Sequence, residues 1–404
     1  MKKVAVVGFQ KINSSSLISY MVKHNISVIL IILDEADYNF QNQEDHVLVN
    51  SVSLNGNLSC LKDVEWIINI TSEKSGEDYN LIYNTYNKIL PHVSNNVIIS
   101  ATSNFFLDVV SKIPHNTFCH FLIVSFFYYA NTVKLIECAY YNSLENKGIE
   151  ILSNSFSNVI TCSNISGLIL DRILSFWSMI LLIGTYTFNI NIEDADSIIT
   201  NKYMGIPNGA FNLLDEIGLD NFILTVKHLI NSLPSNDHLH KLYNAIPRVV
   251  LQMISDGYTG STSKIGGFYR FYELYGGNSN QVIDLHTGLY RKAYIINHDF
   301  KNIQDLFDIH DKYGQFMWYV WSNTLIYISS LIPELSSISA IDKAMKLACD
   351  WKYGPFEIVD LLNDAIENKL SDSTGDDNLP QILSFKKRMY NNKKQCLNIN
   401  GTYT

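Results

Sequence analysis

The chain has 404 residues, 47% of them hydrophobic, 12% aromatic and 17% charged, with a formal net charge of -9. That length exceeds the ~250–300 residues at which one hydrophobic core stops growing, so more than one domain is expected, and the apolar content excludes a disordered polymer. The acidic balance argues against nucleic acid as a partner, because that affinity comes from clustered Lys and Arg; a local pocket for a small anion is still compatible with it.

Lys3–Val7 is an apolar run ending in Gly8. It is too short for the ~7–15 residues of an export signal core. Ser14–Ser16 can cap a helix running to about His24, and Ser27–Leu33 is apolar on both faces, as a strand in a parallel sheet must be. Trp66–Ile70, Asn96–Ser100 and Phe121–Phe127 read as further strands, separated by helical stretches at Asp78–Leu90 and Phe105–Lys112. A doubly wound α/β domain over residues 1–185 is the expected result. Its last segment, Ile173–Gly184, is about 12 apolar residues where a membrane span needs ~20, and it reads as a buried helix.

After Asn189 the strand signals stop and helix-length segments follow. Gly209-Ala210-Phe211-Asn212-Leu213-Leu214-Asp215 and Gly354-Pro355-Phe356-Glu357-Ile358-Val359-Asp360 share one pattern, each downstream of an aspartate, Asp196 or Asp342. Two copies of one helical module are expected, at 186–285 and 286–370. Residues 371–404 are polar and then basic, and read as a solvated tail. The six cysteines are scattered, with no CxxC pair, which fits a reducing cytoplasm rather than a disulfide framework. His238-Leu239-His240 has the spacing of two ligands on a strand, yet it follows Pro234-Ser235-Asn236-Asp237, a helix entry, so no metal is expected there.

A strand ending in glycine and leading into a helix is how dinucleotides are held, with the pyrophosphate on the free N–H groups of the helix start. Of the G-x-G-x-x-G pattern only Gly8 is present, with Gln10 and Asn13 at the other two positions; Asp34 lies past the place of the ribose-binding acid. Gln10, Asn13 and the serines after them can donate hydrogen bonds themselves.

These residues resemble a family, the 3-hydroxyacyl-CoA dehydrogenases of fatty-acid β-oxidation. Ser125-Phe126-Phe127-Tyr128-Tyr129-Ala130-Asn131-Thr132-Val133-Lys134-Leu135-Ile136-Glu137 is similar, without a gap, to the family's H-F-F-N-P-x-x-x-M-x-L-V-E. Thr102-Ser103, the Gly167–Arg172 stretch, Gly205–Asp220 and Gly266-Gly267-Phe268-Tyr269 match further family segments in order and spacing, over about residues 1–365. The resemblance implies a Rossmann-like domain that binds NAD and two helical modules, packed as a pseudo-dimer in one chain or pairing as a homodimer, with acyl-CoA as the ligand. Some long members continue into a hydratase domain, for which no sequence is left here.

By the same resemblance the site comprises Ser125 and Glu137 in place of the family's histidine–glutamate dyad, Ser103 as the substrate-binding serine, and Asp171 in place of an asparagine near the substrate oxygen. Gly8, Gln10, Asn13 and Glu73 fall on the cofactor side. A serine cannot take a proton near neutrality as imidazole does, and a lost general base costs ~10²–10⁴ in rate. The implied reaction is oxidation of a 3-hydroxyacyl-CoA, weakened; the alternative is an inactive homologue serving as an acyl-CoA-binding or protein-interaction scaffold. His120, five residues before Ser125 on one strand, points to the opposite face and is no substitute.

Overall fold

In the computed structural model the chain is described over residues 1–8, 13–33, 48–70, 78–101, 104–114, 118–129, 132–140, 147–162, 168–200, 205–207, 209–274, 277–294, 302–308, 311–334, 337–362, 369–370, 379–385 and 387–404. It divides into two units, Met1–Leu168 and Ile169–Thr404.

The first unit alternates strand and helix: β1 Lys3–Val7, α1 Asn13–Lys23, β2 Ser27–Ile32, β3 Val49–Ser53, β4 Trp66–Asn69, α2 Tyr79–Ile89, β5 Val97–Ala101, α3 Asn104–Val110, β6 Cys119–Tyr129, β7 Thr132–Tyr140, α4 Lys147–Ser155 and β8 Val159–Cys162. The sheet order is β3-β2-β1-β4-β5-β6-β7-β8, parallel through β6, with β7 antiparallel to β6 and β8 parallel to β7. Apolar residues on alternate positions, such as Val4, Val6, Trp66, Ile68, Leu122, Val124, Ile136 and Cys138, form one core with Leu17 and Met21 of α1 and Ile149 and Leu152 of α4. Intervening positions face the other side, where α3 packs on β5 and β6. Asp78 caps α2 by accepting from the Asn80 and Leu81 N–H groups.

The second unit opens with α5, Ile169–Thr187. The boundary therefore falls at Leu168, ahead of the expected 185, because this helix is apolar nearly all round and buries itself in the second unit along α12, Lys312–Ser330. By length and composition α5 could cross a membrane, and it is mostly buried inside the unit. Helices α6 Ile192–Thr200, α7 Ala210–Ile217, α8 Leu219–Ser232, α9 His238–Asn244 and α10 Arg248–Ser255 follow. The region is helical as expected, but it also carries an antiparallel sheet, β9 Tyr269–Leu274, β10 Gly277–Ile283 and β11 Tyr290–Lys292. The later part contains α11 Ile303–Asp308, α12, α13 Ile338–Ala348 and α14 Pro355–Leu361.

The internal repeat is repeated in hydrogen bonds. Asp196 accepts from the Phe211 N–H at 3.0 Å and the Tyr269 hydroxyl at 2.9 Å, while Asp215 accepts from the Phe268 and Tyr269 N–H groups, each at 2.8 Å. In the second copy Asp342 accepts from the Phe356 N–H at 2.9 Å and the Tyr390 hydroxyl at 2.6 Å, and Asp360 from the Met389 and Tyr390 N–H groups at 2.7 and 2.8 Å. A Cβ on Gly209 or Gly354 would fall 2.4 or 2.2 Å from the Cγ of Asp196 or Asp342, so each module needs a glycine there.

Tyr390 corrects the reading of residues 371–404 as a solvated tail. Residues 387–404 fold back on themselves through the bridges Tyr390↔Cys396 and Leu397↔Tyr403. Met389 and Leu397 are buried, and the segment closes the second module as Phe268 and Tyr269 close the first. Its polar composition conceals this, since only a few apolar anchors and the two distant carboxylates hold it.

Candidate active site

The β1–β4 junction is the switch point of the sheet, where the strand order reverses; ligands of such sheets bind outside the carboxyl ends of the strands there. Gly8 follows β1 there, buried, with φ +79°, a left-handed turn that a side chain would strain. Helix α1 starts at Asn13 with no acidic residue in its first turn, so its N–H groups and dipole favour an anion. These two features fit a dinucleotide. The Asn13 side chain, Gln10, Asp34, Glu73 and Ser103 lie outside the described residues.

Ser125 and Glu137 are brought together. They are direct cross-strand partners in the β6–β7 ladder, where side chains on one face sit ~5 Å apart at Cβ. Since Val124, Ile136 and Cys138 belong to the α1–α4 side, Ser125 and Glu137 share the opposite face. Glu137 is fully buried and Ser125 half-buried. Its own burial, and after that the negative charge of the neighbouring Glu137, push the Cys138 thiol up to about 12. The register shifts just beyond, between Phe127 and Tyr128, a bulge that bends the strand end next to the pair.

His120 lies on the other face, buried against α4, where a Cβ on Gly148 would touch it at 3.1 Å. Asp171 sits half-buried in the first turn of α5, where the helix dipole favours its charge. Its neighbour Arg172 is buried and ion-paired to Asp237 at 2.7 Å. Asp237 also caps α9 through the Leu239 N–H, which puts His238 and His240 on diverging directions of a helix. Among the described residues no cluster of three or more His, Cys, Asp or Glu could hold a metal ion.

One polar residue at this junction escapes sequence reasoning. Asn69 ends the apolar run of β4, pairs with Val7 beside Gly8, and is 7% exposed. Its Oδ1 accepts from the Tyr86 hydroxyl of α2 at 3.4 Å. The only sequence signal is a polar residue closing a buried strand.

No family model matches the chain. A protein of Rickettsia prowazekii named as a fatty acid oxidation complex trifunctional enzyme is 27% identical over 91% of this chain and 54% of its own length. A Bacillus subtilis protein named as a 3-hydroxyacyl-CoA dehydrogenase is 25% identical over 75% of this chain and 39% of its own. The chain thus spans about half, or less, of the length of these relatives. Among solved structures, 3-hydroxybutyryl-CoA dehydrogenase of Escherichia coli shares the fold with TM-score 0.60 at 14% identity, over 93% of this chain and 96% of that one. The chain is thus similar in sequence to proteins named as fatty acid oxidation and 3-hydroxyacyl-CoA dehydrogenase enzymes, and it shares the fold of a solved 3-hydroxybutyryl-CoA dehydrogenase.

Proposed function

We propose that the chain carries out the NAD-dependent oxidation of 3-hydroxyacyl-CoA to 3-oxoacyl-CoA, at a rate reduced by the serine at position 125. The observation that carries this reading is the cross-strand pairing of Ser125 with the buried Glu137, the two positions the resemblance assigns to the proton-handling dyad. When bound, NAD supplies the hydride acceptor. On the protein side, Gly8 and the start of α1 hold the anionic part of the nucleotide. The Ser125 hydroxyl and, by resemblance, Ser103 hold the substrate oxygen by hydrogen bonds. Serine does not store a proton near neutrality, so the alcohol proton leaves through water on the face that Ser125 shares with Glu137.

Acyl-CoA is the ligand of this reading, NAD the cofactor and the cytoplasm the setting. The duplicated modules let one chain imitate a dimer. The test is reduction of acetoacetyl-CoA by NADH, run beside a titration of tryptophan fluorescence with NADH. Slow turnover above background with saturable binding is expected. Binding without turnover would favour an inactive acyl-CoA-binding homologue, and neither would leave the fold without the chemistry.

A further inference from the structure

We draw no further inference here: the strongest candidate, the largely apolar cleft between α10 and the β9–β11 sheet, lined by Val249, Met253, Tyr258, Ile283, Leu289 and Tyr290, carries nothing because nothing in the structure shows what covers it.

Discussion

Ser125 and Glu137 stand directly opposite one another across the antiparallel β6–β7 ladder, and Glu137 is fully buried there. A buried carboxylate needs polar partners, so truncation leaves those partners unpaired and a cavity behind. Glu137→Ala should destabilise the first unit by about 2–4 kcal/mol, while Glu137→Gln, which keeps the volume, should cost less. Urea unfolding of the two variants checks this. Equal stability of Glu137→Ala and wild type would remove the carboxylate from the architecture of the site.

The two aspartate knots predict a pH dependence. Desolvation pushes the Asp196 and Asp342 carboxyls up to about 7 and Asp215 to about 6, against hydrogen bonds from Phe211, Tyr269, Tyr390 and Phe356 that favour the anion. An unfolded aspartate titrates near ~3.9, so between that and about pH 7 the folded chain holds the extra protons. The stability so gained is full below the unfolded value and is lost as pH rises through 6 to 7. The urea midpoint of the second unit should therefore be higher at about pH 5 than at about pH 8, by the equivalent of a few kcal/mol. Asp196→Asn with Asp342→Asn should flatten that slope. A midpoint rising from pH 5 to 8 would contradict the sign.

Residues 387–404 close the second module through Met389, Tyr390 and Leu397. Deleting them strips Asp342 and Asp360 of their donors and exposes buried apolar surface. We expect the truncated chain to lose cooperative melting of the second unit and to be cut rapidly by protease around α13 and α14, with the first unit resistant. An unchanged melting profile would restore the picture of a solvated tail.

Gly209 and Gly354 offer a matched pair. An added methyl at either meets the aspartate behind it, but Gly209 also has φ +76° whereas Gly354 is at -72°. Both alanine variants should destabilise, Gly209→Ala by about 1 kcal/mol more because it adds left-handed strain. Thermal melts that rank Gly354→Ala as the worse of the two would go against this.

The first unit was largely legible because its strands are buried on both faces and end in clear polar punctuation. Gly8, the Ser125–Glu137 spacing and the repeated Gly-x-Phe motif all carried through to structure. What escaped was what depends on contacts distant in sequence. The hairpin at Tyr269–Leu274 mixes Arg and Glu with aromatics, so its alternation is weak. The closing segment finds its acceptors 29 to 48 residues away. α5 reads the same whichever unit it joins, because an all-apolar helix does not say against what it packs. Asn69 is a single amide whose place opposite Val7 appears only when β1 lies beside β4.

The central claim is that position 125 occupies the proton-acceptor place beside Glu137. Ser125→His puts an imidazole there, and acetoacetyl-CoA reduction by NADH should rise by about 10²–10⁴, with most of the gain lost again in Ser125→His/Glu137→Gln. A Ser125→His variant that folds and binds NADH like the wild type, yet reduces acetoacetyl-CoA no faster, would contradict it.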